Sequence, residues 1–225
     1  MINLREILIG FVLLLPFTGK DDAAKFLRAV SEKFSGVKDY VVDVRVHLDL
    51  ENVKAPDMAA KIYYKSPDKV KIDSKGTFLL PKEVGVFNPH MFNPDNFNVS
   101  IKDTLQYEGV PAMRLSLSPK NETLVNRSII LTVDRSEWVI KELLMEPAPG
   151  SLMDAKIRYG NFGGFMLPVE IDVNLNLPKP DSSQDYSTPR RQLRGGVSGN
   201  VAVYYSNYKV NSGLSDSLFA KEAKH

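Results

Sequence analysis

The sequence predicts a mainly β fold with few helices: a single curved antiparallel sheet that curls into a half-open barrel with its apolar face inside. Three observations carry this. Apolar and polar residues alternate with period two in segment after segment, most plainly from Tyr40 to Leu50, and such alternation marks antiparallel sheets with one face in water. A 3.6-residue apolar stripe is found near the start, and no regular helix–strand alternation follows, which argues against a parallel sheet. About nine or ten strands are countable, and a twisted sheet of that size curls or splits rather than staying flat.

The chain starts with a segment expected to lie outside the fold, an uncleaved anchor or a buried apolar segment being the alternatives. After Arg5 comes ILIGFVLLLPF (7–17), an uncharged apolar run. It falls short of the roughly 20 residues that span a membrane and suits the core of a secretory signal peptide. Residues 1–19 are therefore expected to be removed, leaving 20–225 as one domain outside the cytoplasm. DDAAKFLRAVSEKFSG follows, with Asp22 as expected N-cap, a stripe of Ala23, Phe26, Leu27, Val30 and Phe34, and Gly36 as the stop. From Tyr40 the period is two: Tyr40, Val42, Val44, Val46, Leu48 and Leu50 share a face. IYYKSPDKVKID (62–73) reads as a hairpin broken at Pro67 and Asp68, with Ile62, Tyr64, Val70 and Ile72 on one side and lysines on the other. Further strands are expected around Met113, Leu115 and Leu117, on either side of the DRSE turn (134–137), at 153–159, at 169–177 and at 197–208.

Two loops interrupt the strands. PKEVGVFNPHMFNPDNF (81–97) repeats an Asn-Pro turn among Val84, Phe87, Met91, Phe92 and Phe97, and is expected to lie against something apolar. The stretch 178–199 is rich in Pro, Ser and Gly, carries Arg190, Arg191 and Arg194, and is expected to be flexible.

Composition removes several function classes. The chain has 225 residues, 43% hydrophobic and 25% charged, enough for a sizeable core. Its net charge of +2, with no basic run interleaved with aromatics, points away from nucleic acid. Without cysteine there is no disulfide, thiolate metal site or cysteine nucleophile. The three histidines, His47, His90 and His225, form no HxxxH or HExxH spacing, and no GxSxG, Walker or GxGxxG motif is present. Carboxylate pairs such as Asp43/Asp49 and Glu170/Asp172 fall on wet strand faces. FGGF (162–165) reads as a turn, because no helix N-terminus follows to cradle phosphate. The expectation is no catalytic residue, no metal and no cofactor. What is left is more inward-facing apolar surface than one short helix covers, and that favours a binder of apolar ligand.

A resemblance sharpens this. YYKSPDKVKI (63–72) resembles the lysine-x-proline hairpin of the bacterial outer-membrane lipoprotein carrier (LolA-like) family. YEGVPAMRLSL (107–117), SIILTVDRSEWVIKELLM (128–145), KIRYGNFGGFMLPVEIDV (156–173) and YSNYKVNSGLSDSLF (205–219) resemble its later blocks in order. The resemblance implies a periplasmic protein, an unclosed β-barrel and a helical lid over a hydrophobic cavity. It implies a non-enzymatic carrier of acylated lipoproteins or lipids, acting as a monomer between an inner-membrane donor and an outer-membrane acceptor. One departure is Ser66, where these carriers place an arginine that helps latch the lid. The expected lipid-binding wall is Val42, Val44, Val46, Ile62, Tyr64, Val70, Ile72, Leu115, Leu117, Ile171, Val173 and Leu175. The expected lid is Phe26, Leu27, Val30, Phe87, Met91 and Phe92. The alternative is a periplasmic sensor or scaffold of the same fold that binds a protein partner.

Overall fold

The computed structural model describes residues 20–51, 55–74, 76, 87–88, 92–120, 129–147, 150–178 and 196–220. The expected signal segment, Met91 of the expected lid, and Arg190, Arg191 and Arg194 lie outside them. The described residues form one helix, α1 (Lys20–Lys33), and ten strands. The strands are β1 (Asp39–Leu50), β2 (Met58–Lys65), β3 (Lys69–Ser74), β4 (Phe97–Tyr107), β5 (Val110–Pro119), β6 (Ile129–Asp134), β7 (Val139–Met145), β8 (Leu152–Phe162), β9 (Phe165–Leu177) and β10 (Val197–Val210).

All ten belong to one antiparallel sheet in the order β3-β2-β1-β10-β9-β8-β7-β6-β5-β4. The chain lays down β1 to β3, crosses to the far edge at β4, and meanders back until β10 docks beside β1. Strands β3 and β4 stay unpaired with each other, so the sheet is an unclosed, curved barrel, as the periodicity predicted.

Local chemistry sets the turns. The β2–β3 connection is Ser66-Pro67-Asp68. At the DRSE turn, the Asp134 carboxylate accepts from the backbone N–H of Ser136 at 2.7 Å and of Glu137 at 3.2 Å, a side chain mimicking a backbone turn. Gly163 and Gly164 join β8 to β9 with φ of +64° and +90°, a pair of values that glycine adopts without steric cost. Strand β10 begins at Val197, so the last residues of the expected flexible stretch belong to the sheet.

Two expectations needed correction. Asp22 is not the N-cap: α1 is already helical at Lys20, and Asp22 instead pairs with Lys25 one turn on, at 3.3 Å. Strand β4 was not foreseen. A bulge between Ile101 and Asp103 shifts its register, so Val99 and Ile101 face the same way as Thr104, not Asp103. The period of two breaks in mid-strand.

The helix packs on β4 and β7, with Ala23, Leu27 and Val30, and Phe34 just after it, each at most 3% exposed. Burying Leu27 alone contributes on the order of 2 kcal/mol. Phe26 stacks on Trp138 at 5.7 Å. After the helix, Gly36 leaves room for a ring: a Cβ there would stand 2.7 Å from Phe165.

The C-terminal segment locks the β1 side. Asp39, 4% exposed, accepts from the backbone N–H groups of Ser212, Gly213 and Leu214 at 2.8–3.3 Å. Asn211 accepts from the Lys38 N–H and donates to the Gly36 carbonyl. Asp216, in a short 3-10 helix (Asp216–Phe219), pairs with Lys65 at 2.7 Å and Lys69 at 3.0 Å, which holds its carboxyl below the usual carboxylate range.

Candidate functional site

The register aligns apolar side chains into rows that cross the concave face. One row runs Leu50, Gly199, Leu175, Met153, Met145, Ile129, Leu117, Val99, one residue from each strand from β1 round to β4. The next runs Leu48, Val201, Val173, Ala155, Leu143, Leu131, Leu115, Ile101. Neither row holds a charged or polar side chain. A sheet places i and i+2 on one face, so the rows follow from the alternation once the partners are in register.

All twelve expected wall residues lie on this face. Nine of them are at most 8% exposed, while Val70, Ile72 and Leu175 are half-buried. The middle of the wall is thus packed by the protein's own side chains, including those of α1. Partial exposure concentrates at one end, where Leu48, Leu50, Leu143, Met145, Met153 and Leu175 are half-buried yet packed against the core. Five of these, Leu48, Leu50, Leu143, Met145 and Met153, are not among the expected wall residues: Leu48 and Leu50 share the face read from the Tyr40–Leu50 alternation, while Leu143, Met145 and Met153 join the rows only through the pairing of β7 with β6 and β8. Between Leu50 and Leu175 stands Gly199, with φ +135° and no room for a side chain: a Cβ would lie 2.2 Å from the Asp49 carbonyl oxygen. The row therefore has a gap at that point.

The opposite end is aromatic. Tyr40 stacks on Tyr64 at 5.0 Å and meets Tyr208 edge-on at 5.7 Å, and Tyr208 lies 4.6 Å from Phe162. Phe87 packs edge-on against Phe34 at 5.2 Å and Tyr159 at 6.3 Å. Hydroxyls fix the arrangement. Tyr40 donates to the Phe87 carbonyl at 2.8 Å, Tyr64 reaches the Pro67 carbonyl at 3.1 Å and the Asn88 side chain at 3.3 Å, and Tyr159 donates to the Ile140 carbonyl at 2.9 Å. Burial pushes the phenols of Tyr40, Tyr159, Tyr205 and Tyr208 far up, and that of Tyr64 to about 12, so all stay uncharged at neutral pH. Phe87 and Asn88 are bonded by Tyr40 and Tyr64.

Of the expected lid, Leu27 and Val30 are buried in the core, Phe26 is half-buried against Trp138, and Phe92 lies 6.3 Å from Phe97. Phe87 is at the aromatic end, away from the thin aliphatic end.

The convex face is polar. Asp43 pairs with Lys61 and Arg158 with Glu170, while Arg114 grips Asp103 through two bonds of 2.7 and 2.6 Å. The Lys61 and Arg114 partners hold Asp43 and Asp103 below the usual carboxylate range. His47 meets Asp57 at 2.7 Å on this wet side. Among the described residues no cluster of three or more His, Asp or Glu side chains is arranged to hold a metal. Nor is any described helix long and apolar enough to cross a membrane.

Fold and geometry together define an unclosed antiparallel half-barrel with a charge-free concave face and a helix packed on it. The same fold occurs in solved structures of bacterial proteins. A protein described as an outer membrane lipoprotein-sorting domain, from Vibrio parahaemolyticus, superposes with a TM-score of 0.63 at 9% identity, covering 90% of this chain and 98% of that one. A DUF1329 family protein from Desulfovibrio piger gives 0.64 at 12% identity, with 89% and 97% covered. A LolA superfamily protein from Nitrosomonas europaea gives 0.60 at 12% identity, with 88% and 97% covered. No protein-family model matches the sequence, and no curated protein does. The LolA-like resemblance read from the short motifs thus holds for the architecture of nearly the whole chain.

Proposed function

We propose that this protein is a periplasmic carrier that takes the acyl chains of a lipoprotein or lipid against its concave face and moves them toward the outer membrane. The observation that carries this reading is the pair of charge-free rows whose aliphatic end is left half-exposed at Leu48, Leu50, Leu143, Met145, Met153 and Leu175. An acyl chain of roughly 16 carbons gains on the order of 10 kcal/mol on leaving water for such a face, before ordering costs. No charged anchor is needed for that. Entry is at the aliphatic end, and the middle of the wall opens by displacement of α1 and of the segment at Phe87. The carrier acts as a monomer and performs no chemistry on its cargo; donor and acceptor lie at the inner and outer membranes.

Native mass spectrometry of protein purified from its own host, followed by lipid extraction, tests the reading. Acyl lipid bound to wild type and missing from Leu175→Glu is the expected result. Wild type that is always free of lipid overturns it.

A further inference from the structure

We propose that Tyr208 supplies a hydrogen bond to the ester carbonyl of the bound acyl ligand, at the aromatic end of the interior. The proposal rests on the carrier reading and adds a ligand chemistry to it.

The first observation is how Tyr208 comes to face inward. Val201, Val203 and Tyr205 alternate into the concave face, which would place Asn207 next. A bulge intervenes. On β10, Asn207 and Tyr208 together oppose Val42 of β1, because Val41 pairs with Lys209 and Asp43 with Ser206. Asn207 takes the left-handed conformation at φ +57°, which asparagine tolerates better than most residues. Its side-chain amide donates to Asp43 at 2.9 Å on the convex side, and Asp43 is itself paired with Lys61. The outer-face contacts thus fix an irregularity whose consequence is an inward phenol.

The second observation is the state of that phenol. The Tyr208 hydroxyl oxygen is sealed from solvent and has no hydrogen-bond partner among the described residues. Its neighbours differ: Tyr40 is bonded to the Phe87 carbonyl and Tyr159 to the Ile140 carbonyl. Buried hydroxyls are nearly always bonded, and one left without a partner in protein is a candidate for a ligand's polar atom.

The surroundings select the ligand atom. The rows leading to Tyr208 contain no cation, so a carboxylate or phosphate drawn there has no counter-charge. A neutral phenol amid rings suits a neutral acceptor, and on an acyl lipid that atom is the ester carbonyl. From Gly199 to Tyr208 is nine residues of β10, about 30 Å of strand, along which the hydrocarbon lies toward the aliphatic end. The Tyr40 ring stands edge-on to Tyr208 at 5.7 Å and donates its own hydroxyl to the Phe87 carbonyl, so it leaves the Tyr208 hydroxyl to a ligand atom.

Titration of wild type and Tyr208→Phe with methyl palmitate, palmitate and heptadecane tests this. In wild type the ester binds more tightly than palmitate. Tyr208→Phe weakens methyl palmitate about tenfold, the worth of one hydrogen bond, and leaves heptadecane unchanged. Tyr204→Phe, on an exposed ring of the same strand, changes neither. Equal affinity of wild type and Tyr208→Phe for the ester overturns the proposal and leaves the carrier reading standing; so does tighter binding of palmitate than of the ester. Failure of wild type to bind any of the three probes overturns both.

Discussion

The two ends of the concave face are built from the same strands and behave as opposites. At the aromatic end, Tyr40, Tyr64, Tyr159 and Phe87 pack together, the three tyrosine hydroxyls are spent on backbone carbonyls, and Phe34, just after α1, packs beside them. At the aliphatic end, leucines and methionines stand half-buried around a glycine. Both are apolar. The first is closed by directional bonds that hold one geometry, and the second by flexible side chains that fit many, since unbranched Met adapts to irregular surfaces. Closure at one end and adaptability at the other suit the proposed carrier.

Substitutions separate the two ends. The largest effect is expected of Val44→Glu. Val44 is 3% exposed, opposite Ala60 and Tyr205, and a carboxylate there has neither water nor partner, so the variant loses several kcal/mol and fails to fold at 37 °C, as circular dichroism will show. Next are the alanine substitutions. Leu131→Ala, in the fully packed middle of a row, costs about 2–5 kcal/mol in denaturant unfolding. Leu50→Ala, at the half-exposed end, costs well under half as much. Equal costs would mean that the aliphatic end is as tightly packed as the middle.

Tyr40→Phe removes the bond to the Phe87 carbonyl and leaves the ring. It costs about 1 kcal/mol and speeds chymotryptic cleavage after Phe87, with no such change in Tyr204→Phe. The smallest effect concerns the convex face. Asp154 has its carboxyl raised, first by burial and then by Glu142 on β7 and Asp172 on β9, with Lys156 opposing. Its Oδ1 is buried without a partner among the described residues. A raised folded-state value means that this group favours folding most when protonated and loses that contribution as pH rises through the folded value. Asp154→Asn is therefore slightly more stable than wild type at pH 7, and the gap closes toward pH 3.

Much of the sheet was legible because its signal is local. Tyr40 to Leu50 alternates without a break, and β1 covers it. Turn chemistry at Pro67, Asp134 and Gly163 fixed where neighbouring strands begin. Strand β4 was hidden because its bulge inverts the alternation halfway, so Leu105 and Tyr107 fall on the outer face and Tyr107 comes to within 3.4 Å of Glu142. The site divides the same way. Wall residues in mid-strand could be read from periodicity. Met145 and Met153 could not, since only the pairing of β7 with β8 sets them side by side. Tyr208 faces inward through a bulge that no alternation foretells. Solved structures only 9–12% identical share the fold, in keeping with a wall that asks only for apolar side chains of about the right size.

The most direct measurement is photo-crosslinking with a diazirine-bearing fatty acyl ester, followed by peptide mapping. Adducts at Leu48, Leu50, Met145, Met153 and Leu175, blocked by excess unlabelled ester, are the result expected if acyl chains enter at the aliphatic end. Adducts confined to the convex strands, or labelling that excess ester does not displace, would contradict the account.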